Sequence, residues 1–499
     1  MLVQGHSLRS LLTHRAENTP DAPFLIEDTG RGLTFRKTEA RAKSLANRIA
    51  ARGTKPGESV AYAMSNGIDA ALVILSSLYG GYLTVAVNLV AGQETISYVL
   101  KHSKSRLVLH DTDAQELITK ALEGQENPPE LSLIDKDAFT GDTRPLPDVD
   151  ASADGLLMYT SGTTGRPKGV VLTHGNLLAG GANATLAHAL TPADRALCVL
   201  PLYHINGLCV SLLGALVSGG SVVIPPKFRV STFWETVTRN TCTWLSFVPT
   251  QISYLLHDVK SARPSNGVRF ARSASAPLSP DVQTAFETAF GIPIVETMGL
   301  TETAAQILSN PLPPNTRKIG SPGIAHGNDV VVADPLGQEM PRGKEGELLV
   351  RGPNVMRQYL YDEKATQEAL TSDGWLRTGD LGRMDKDGYV FITGRLKELI
   401  IKGGENIAPR EIDDALYSHP DVIEAAAFAL PCPHYGEKVE AGVVLKDGTQ
   451  MDGATLVDHC ITRVGTFKAP DKVHVFDALP KGPSGKIQRI KLAALVSQG

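Results

Sequence analysis

"MYTSGTTGRPKGVVLTHGN", residues 158 to 176, leads from an apolar, strand-like run into a loop of glycines and hydroxyl side chains that ends near Lys168. Glycines let the backbone curl so that successive N–H groups point at one anion, the hydroxyls add donors, and the lysine adds a positive charge. The stretch therefore predicts a phosphate-binding loop at the end of a β-strand. The alternative is a glycine-rich hairpin without a ligand, and the spacing is not that of a Walker A motif.

Composition restricts the class of protein. The chain has 499 residues, enough for two or more domains, and it is 42% hydrophobic and 20% charged. Its net charge of −4 gives no sign of a surface for nucleic acid or anionic lipid, so small molecules are the expected partners. Residues 70 to 93 and 196 to 226 lack charged side chains, but Gly80-Gly81 and Pro201 interrupt them. We therefore expect buried helix plus strand there and not membrane spans.

The cysteines and the N-terminus indicate the compartment. The cysteines are widely spaced and form no Cys-x-x-Cys pair, which favours a reducing compartment and argues against a structural zinc site. The first 21 residues are typical of an amphipathic helix and lack the apolar core of a signal peptide. We expect a cytoplasmic protein.

The order of strand and helix patterns predicts the fold class. Residues 59 to 88 indicate strand, helix and strand, as in a mostly parallel sheet covered on both faces. Short alternating strands follow over residues 323 to 352, and a small α+β pattern begins after residue 409. The prediction is an α/β fold: a large N-terminal domain of doubly wound sheets plus a small antiparallel barrel-like part, followed by a small, mobile α+β C-terminal domain.

Further motifs stand in a fixed order with the glycine-rich loop: "GLTET" (299 to 303), "DGWLRTGDLG" (373 to 382), "GRLKELIIKGGENIAPREID" (394 to 413) and "LPKGPSGK" (479 to 486). Together they resemble the adenylate-forming superfamily of acyl-CoA synthetases, and most closely its oxalyl-CoA synthetase branch. The resemblance implies a ligase that forms an acyl-adenylate and pyrophosphate from ATP and a carboxylate. The small domain then rotates and a thiol displaces AMP. The implied cofactors are ATP, Mg²⁺ and coenzyme A.

The resemblance also implies domain boundaries and residue roles. The large adenylation domain would cover 1–394, the hinge linker and thioester loop 395–404, and the small domain 405–499. Glu302 would bind Mg²⁺, Thr301 the α-phosphate, and Lys486 the reacting carboxylate and α-phosphate. Nucleotide- and CoA-binding positions would be Thr160, Ser161, Gly162, Thr163, Thr164, Gly165, Lys168, Ser275, Ala276, Thr297, Met298, Gly299, Asp380, Arg395, Lys402, Gly403 and Gly404.

Each role has a plainer alternative. Asp380 could be a turn residue, Glu302 an exposed helix residue and Lys486 a solvated charge. Lys397 occupies the hinge position of the family. Met298 stands where many relatives carry the aromatic residue that stacks on adenine, which weakens that assignment.

The acid substrate is less determined than the reaction. The predicted acyl pocket includes His204, Ser273, Ala305 and Gln306, where His204 either gates the site or fills space. The oxalyl-CoA branch tends to have a histidine where this chain has Ala305. The best candidate substrate is a small polar acid such as oxalate, and the alternatives are aryl acids or short- to medium-chain acids. A remote alternative is that the protein is a non-catalytic nucleotide-binding relative. Free CoA is the expected acceptor of the acyl group. We expect no nucleic-acid partner and no stable membrane insertion, and a protein that is a monomer or homodimer.

Overall fold

The computed structural model describes residues 3–141, 143–160, 166–257, 267–446, 448–482 and 487–497. The strands up to residue 325 are β1 (Pro23–Ile26), β2 (Gly32–Thr34), β3 (Ser59–Ala63), β4 (Leu83–Ala86), β5 (Leu107–His110), β6 (Glu130–Leu133), β7 (Asp154–Thr160), β8 (Lys168–Thr173), β9 (Arg195–Cys198), β10 (Ser221–Val223), β11 (Trp244–Phe247), β12 (Phe270–Ser273), β13 (Ile294–Leu300), β14 (Ala305–Ser309) and β15 (Ile324–Ala325). The later strands are β16 (Asp329–Ala333), β17 (Glu345–Arg351), β18 (Gln358–Tyr359), β19 (Leu376–Met384), β20 (Val390–Arg395), β21 (Ile400–Lys402), β22 (Glu405–Ile407), β23 (Val422–Cys432), β24 (Gly436–Leu445) and β25 (Lys472–Val475).

The helices alternate with these strands along most of the chain. They are α1 (Leu8–Asn18), α2 (Phe35–Ala51), α3 (Ile68–Gly80), α4 (Gln93–His102), α5 (Gln115–Leu122), α6 (His174–Ala187), α7 (Gly214–Ser218), α8 (Val230–Arg239), α9 (Pro249–His257), α10 (Pro280–Phe290), α11 (Glu363–Ala369), α12 (Pro409–Tyr417), α13 (Gly453–Lys468) and α14 (Arg489–Ser497). A π-helical segment, Asn206–Leu213, leads into α7, and short 3₁₀ turns cover Lys136–Phe139, Thr301–Thr303 and Leu396–Glu398.

Two large mixed sheets form the N-terminal part within the described ranges. One has the strand order β15-β14-β13-β12-β11-β9-β10-β1-β2 and the other β18-β8-β7-β4-β3-β5-β6. Their central pairs are parallel, whereas β7–β8 and β13–β14 are antiparallel pairs. The α/β prediction of doubly wound sheets is therefore confirmed.

One core joins the two sheets. Side chains of both sheets pack with those of α1, α2, α3 and α6 in a shared cluster. Helix α3 is apolar on every side and almost wholly buried, as expected for a helix between two layers. The outer faces have separate cores, one under α8 to α10 and one under α4 and α5. Burial of both faces explains why the strands are continuous apolar runs.

The two uncharged stretches fold as predicted. The first contains most of α3 and strand β4, and the second contains most of β9, the π-helical segment, α7 and β10. Along the residues with described structure, no helix is both long and apolar enough to cross a bilayer.

Two further sheets follow. Strands β16-β17-β19-β20 form an antiparallel sheet, and β21 to β25 form a C-terminal sheet covered by α12 and α13. The predicted helix, strand, strand, helix and strand after residue 409 are confirmed as α12, β23, β24, α13 and β25. Strands β21 and β22 were not predicted: β21 pairs with Gly436 of β24, so the chain has joined the C-terminal sheet by Ile400. The domain boundaries themselves stay predictions.

Candidate active site

The glycine-rich loop connects β7 to β8, two neighbouring antiparallel strands. Thr160 at the end of β7 is the register partner of Lys168 at the start of β8. The positions between them that the sequence assigns to phosphate binding, Ser161, Gly162, Thr163, Thr164 and Gly165, lie outside the described residues. The pairing thus places Thr160 and Lys168, the described residues on either side of this segment or next to it in the ladder, on neighbouring strands.

An acidic turn faces this lysine. Glu302 lies in the 3₁₀ turn after β13, and its main-chain carbonyl accepts a hydrogen bond from the N–H of Met356 at 2.7 Å. The hydroxyl of Tyr359 donates to Oε1 of Glu302 at 2.9 Å. The ammonium of Lys168 lies over the ring of the same tyrosine, 4.9 Å from its centroid. Tyr359 therefore contacts both the predicted phosphate lysine and the predicted magnesium ligand.

Asp380 and Arg395 form the next part of the site. They are register partners on β19 and β20, and the guanidinium donates to both carboxylate oxygens, with 3.3 Å between Nη2 and Oδ2. Asp380 is buried, and its N–H donates to Oγ1 of Thr378 at 3.0 Å. Burial lowers the pKa of Arg395, but Asp380, then Glu398 and then Glu302 raise it by more, so the net pKa is raised. The guanidinium is firmly charged and lies near the acidic turn.

The end of β13 is shaped for close backbone approach. Gly299 pairs with Gln306 of β14, and a Cβ at Gly299 would lie 1.8 Å from the carbonyl oxygen of Ala305, so only glycine fits. Thr297 is buried and donates to the carbonyl of Ser273 at 3.2 Å. Met298 packs half-buried against the shared core. Thr301 opens the 3₁₀ turn, and its carbonyl accepts from the N–H of Ala304.

Arg272 lies on β12, and only 1% of it is exposed. Its Nη1 donates to Oδ1 of Asn206 at 2.5 Å and to Oγ of Ser246 at 3.3 Å. Its Nε donates to Oε1 of Gln306 at 3.2 Å. All these acceptors are neutral. Within the described ranges no carboxylate pairs with this guanidinium, and its Nη2 donates no hydrogen bond.

Polar side chains extend this network in two directions. Asn206 donates from Nδ2 to Oγ of Ser275 at 3.3 Å, which reaches the predicted nucleotide loop of Ser275 and Ala276. On the other side, His188 Nε2 lies 3.0 Å from Oε1 of Gln306. Burial and then Arg272 keep the pKa of His188 far below its ordinary value, so the ring is neutral and donates through Nε2. The buried amide Nε2 of Gln306 has no hydrogen-bond partner along the described chain.

The other residues predicted to line the acyl pocket are Ser273, His204 and Ala305, and each has different neighbours. Ser273 follows Arg272 on β12, so its side chain points to the opposite face of the sheet. That face also carries Glu296, its register partner on β13. The ring of His204 packs edge-on against Tyr203 with 4.8 Å between centroids. Ala305 has φ +79°, a left-handed conformation that disfavours a bulky residue there.

The C-terminal sheet brings its own predicted residues. Lys397 is exposed in the turn between β20 and β21. Lys402 is buried, and its ammonium donates to Asp471 at 3.1 Å. Gly403 and Gly404 follow with φ of +60° and +87°, which favours glycine at both. Lys486 lies outside the described residues, but Lys481 just before its segment lies 6.0 Å from the ring centroid of Tyr254 on α9. The C-terminal sheet therefore approaches the large N-terminal part near this segment.

Comparison with family models identifies the family of the chain. A model described as AMP-binding enzyme matches residues 12–360, and one described as AMP-binding enzyme C-terminal domain matches 411–486. The chain belongs to the AMP-binding enzyme family. This AMP-binding enzyme is 47% identical over 495 residues to sulfoacetate–CoA ligase of Cupriavidus necator, with 97% of each chain covered. It is 35% identical over 511 residues to oxalate–CoA ligase of Arabidopsis thaliana, with 98% of each covered.

Comparison with a solved relative concerns the whole fold. The AMP-binding enzyme superposes on ATP-bound MatB from Rhodopseudomonas palustris with a TM-score of 0.90, at 30% identity, covering 98% of this chain and 99% of that one. The apo form of that protein gives 0.80. The arrangement here is thus closer to the ATP-bound form.

The comparisons confirm the predicted superfamily, its oxalate–CoA-ligase-like character and the reaction class. The AMP-binding enzyme is a carboxylate–CoA ligase, an acid–thiol ligase that releases AMP. ATP, Mg²⁺ and CoA are the cofactors of CoA ligases in this family, as predicted.

Two polar residues near the predicted site residues of this AMP-binding enzyme, Arg272 and Tyr359, were not predicted from the sequence. Arg272 stands in the apolar strand "FARS", and a charge inside a buried strand was the available signal. Tyr359 stands in "MRQYL", and no local feature of that stretch distinguishes it from an ordinary core tyrosine. The structure brings Lys168, Glu302, Asp380 and Arg395 to one region, as the motifs predict, while their individual roles stay predictions.

Proposed function

We propose that this ligase activates a small acid that carries a second anionic group, either a carboxylate as in oxalate or a sulfonate as in sulfoacetate. The observation that carries the proposal is Arg272, a buried guanidinium whose described partners are all neutral. Burying a charge without an opposite charge costs several kcal/mol in proteins (order of magnitude). An anionic group of the substrate would compensate that cost, and Nη2 of Arg272 retains a donor for it.

The network around Arg272 suits such a ligand. Asn206, Ser246 and Gln306 fix the guanidinium, so little side-chain entropy remains to be lost when an anion binds. The side-chain carbonyl oxygen of Gln306 accepts hydrogen bonds from Arg272 and His188, which leaves its amide N–H₂ as a second donor. A planar guanidinium pairs with carboxylate or sulfonate oxygens through directed hydrogen bonds. The relatives named sulfoacetate–CoA ligase and oxalate–CoA ligase point to the same substrate class.

The remaining roles follow the two half-reactions. The acid's carboxylate attacks the α-phosphorus of ATP and pyrophosphate leaves; the thiol of CoA then attacks the acyl carbon and AMP leaves. In this proposal Lys168 and the loop Ser161–Gly165 hold the β- and γ-phosphates, Thr301 and Lys486 bind at the α-phosphate, and Asp380 with Arg395 binds the ribose. Glu302 fits Mg²⁺, which usually binds one or two carboxylates plus phosphates. Lys402, Gly403 and Gly404 would line the path of CoA after domain rotation about Lys397.

The test is a panel of acids assayed by pyrophosphate release with MgATP, with and without CoA. We expect kcat/KM for oxalate and sulfoacetate to exceed that for acetate, propionate and benzoate by roughly 100-fold, since an unpaired buried charge penalises acids that lack the second anion. A hydrophobic pocket would instead gain up to about tenfold per added carbon. A rise from acetate to octanoate, or a preference for ferulate or benzoate, would refute the proposal.

A further inference from the structure

We propose that Tyr359 is a positioning residue that aligns the carboxylate of Glu302 with the ammonium of Lys168 for binding of MgATP. The inference rests on the assignment of Glu302 as the magnesium ligand. It concerns a tyrosine that none of the sequence motifs singled out.

The backbone places Tyr359 with little freedom. It lies on β18, a two-residue strand that pairs with β8 in the register Tyr359 to Val170. The N–H of Leu360 donates to the carbonyl of Gly169 at 2.7 Å, directly beside Lys168. The N–H of Tyr359 donates to Oγ1 of Thr366 at 3.0 Å, which ties the strand to α11. The side chain is therefore fixed relative to the hairpin that carries the predicted phosphate loop.

The side chain then links two charges of opposite sign. Its hydroxyl donates to Oε1 of Glu302 at 2.9 Å, and the ammonium of Lys168 lies 4.9 Å from its ring centroid. A cation over an aromatic face is attracted to it, and a hydrogen bond to one carboxylate oxygen fixes the orientation of the other. Oε2 of Glu302 accepts no hydrogen bond within the part of the chain that the structure describes.

The tyrosine hydroxyl suits this role because it lies 2.9 Å from Oε1 of Glu302, within hydrogen-bond distance of the carboxylate. A protonated phenol can donate only one hydrogen bond, and here the carboxylate receives it. Oε2 of Glu302 would thereby remain available to hold Mg²⁺, and Lys168, held over the ring, would bind the phosphates.

The test compares Tyr359→Phe with Tyr361→Phe. Tyr361 is a matched control, because its ring also lies under a lysine, Lys104 at 4.7 Å, but it is 63% exposed and makes no described contact with Glu302. ATP binding is measured by titration calorimetry at a series of Mg²⁺ concentrations, without acid or CoA, and isotope exchange between pyrophosphate and ATP is followed over the same series.

For Tyr359→Phe we expect the Mg²⁺ midpoint of both curves to rise roughly tenfold or more, as is typical when a group that orients a metal ligand is removed. ATP binding without Mg²⁺ should change less than twofold, and Tyr361→Phe should match the unmodified enzyme. An unchanged midpoint in Tyr359→Phe, or an equal shift in both variants, would overturn the inference.

Glu302→Gln separates this inference from the assignment on which it rests. If Glu302 binds the metal, that substitution alone raises the Mg²⁺ midpoint; if it does not, the assignment fails first. In the double variant, loss of the tyrosine hydroxyl should add little to the effect of Glu302→Gln, because residues that act as a unit are not additive. Fully additive shifts would show that Tyr359 acts elsewhere.

Discussion

Arg272 on β12 and Arg395 on β20 differ in the charge of the groups that accept their hydrogen bonds. Arg395 pairs with the buried carboxylate of Asp380 on the next strand, and the net effect of burial and this partner is a raised pKa. Arg272 is surrounded by an asparagine, a serine and a glutamine, and burial lowers its pKa to about 9.

The comparison distinguishes two uses of a buried cation. An arginine balanced within the protein contributes to stability and holds its partner in place. An unbalanced arginine costs stability, and such a cost is typical of residues retained for ligand binding. The same substitution at the two positions should therefore have opposite effects on stability, although both reduce activity.

Arg395→Met should have the largest effect. It leaves the buried Asp380 without its cation, and we expect a loss of about 2–3 kcal/mol in unfolding free energy, less than for a fully buried pair because 40% of the Arg395 side chain is exposed. Adenylation should fall by roughly 100-fold or more for every acid. Urea unfolding and pyrophosphate release measure the two effects. Unchanged stability would remove the contrast with Arg272.

Arg272→Met should act on substrate choice and spare the fold. Because it replaces an unpaired buried charge with an apolar side chain of similar length, the melting temperature should stay equal or rise. We expect kcat/KM for oxalate or sulfoacetate to fall roughly 100-fold, while that for acetate stays the same or improves. A drop in stability together with an equal loss for all acids would show that Arg272 is a structural residue.

Binding of an anion to Arg272 should also be detectable without catalysis, as an increase in the stability of the folded enzyme. An anion that pairs with Arg272 stabilises the folded enzyme by about 2.7 kcal/mol at a concentration 100 times its dissociation constant. Sulfoacetate or oxalate, added with AMP, should therefore raise the melting temperature of the unmodified enzyme but not of Arg272→Met. Acetate serves as the control acid. Equal shifts in both proteins would place the anion elsewhere.

The last effect concerns Glu296, a buried carboxylate on β13 near Arg410 and Asp414 of α12. Burial raises its pKa to about 7, against a lowering by Arg410, and Leu278 donates its N–H to Oε1 at 3.2 Å. Since the folded pKa is above the unfolded one, its contribution to stability is complete below about pH 4.5 and is lost as pH rises through 7.

Glu296→Gln tests this contribution. Between pH 4.5 and 7 the unfolding free energy of the unmodified enzyme should fall by at most about 1.4 kcal/mol per pH unit because of Glu296, and the substitution should remove that dependence. Unfolding free energies at pH 5, 6 and 7.5 measure it, with the exposed Glu345→Gln as control. A slope that persists in Glu296→Gln would mean that another group titrates.

Much of the fold follows from local sequence. The alternation of strand and helix over residues 59 to 110 requires a mostly parallel sheet, and the helix and strand order after residue 409 matches the structure closely. Strand β21 was not predicted because three residues carry little periodic signal, and its pairing with Gly436 depends on a contact between distant parts of the chain.

The candidate site divides in the same way. Lys168, Glu302, Asp380 and Arg395 were predicted because they stand in local motifs whose joint order resembles the adenylate-forming superfamily, and the resemblance implied their roles. Arg272 and Tyr359 were not predicted, because each depends on which residues from other strands surround it. The sequence by itself therefore determined the family and the reaction class, and it predicted the residues of the nucleotide site. Only the tertiary structure decided that Arg272 has neutral neighbours and that Tyr359 links Glu302 to Lys168, since charge balance is set by strand pairing between residues far apart in the chain.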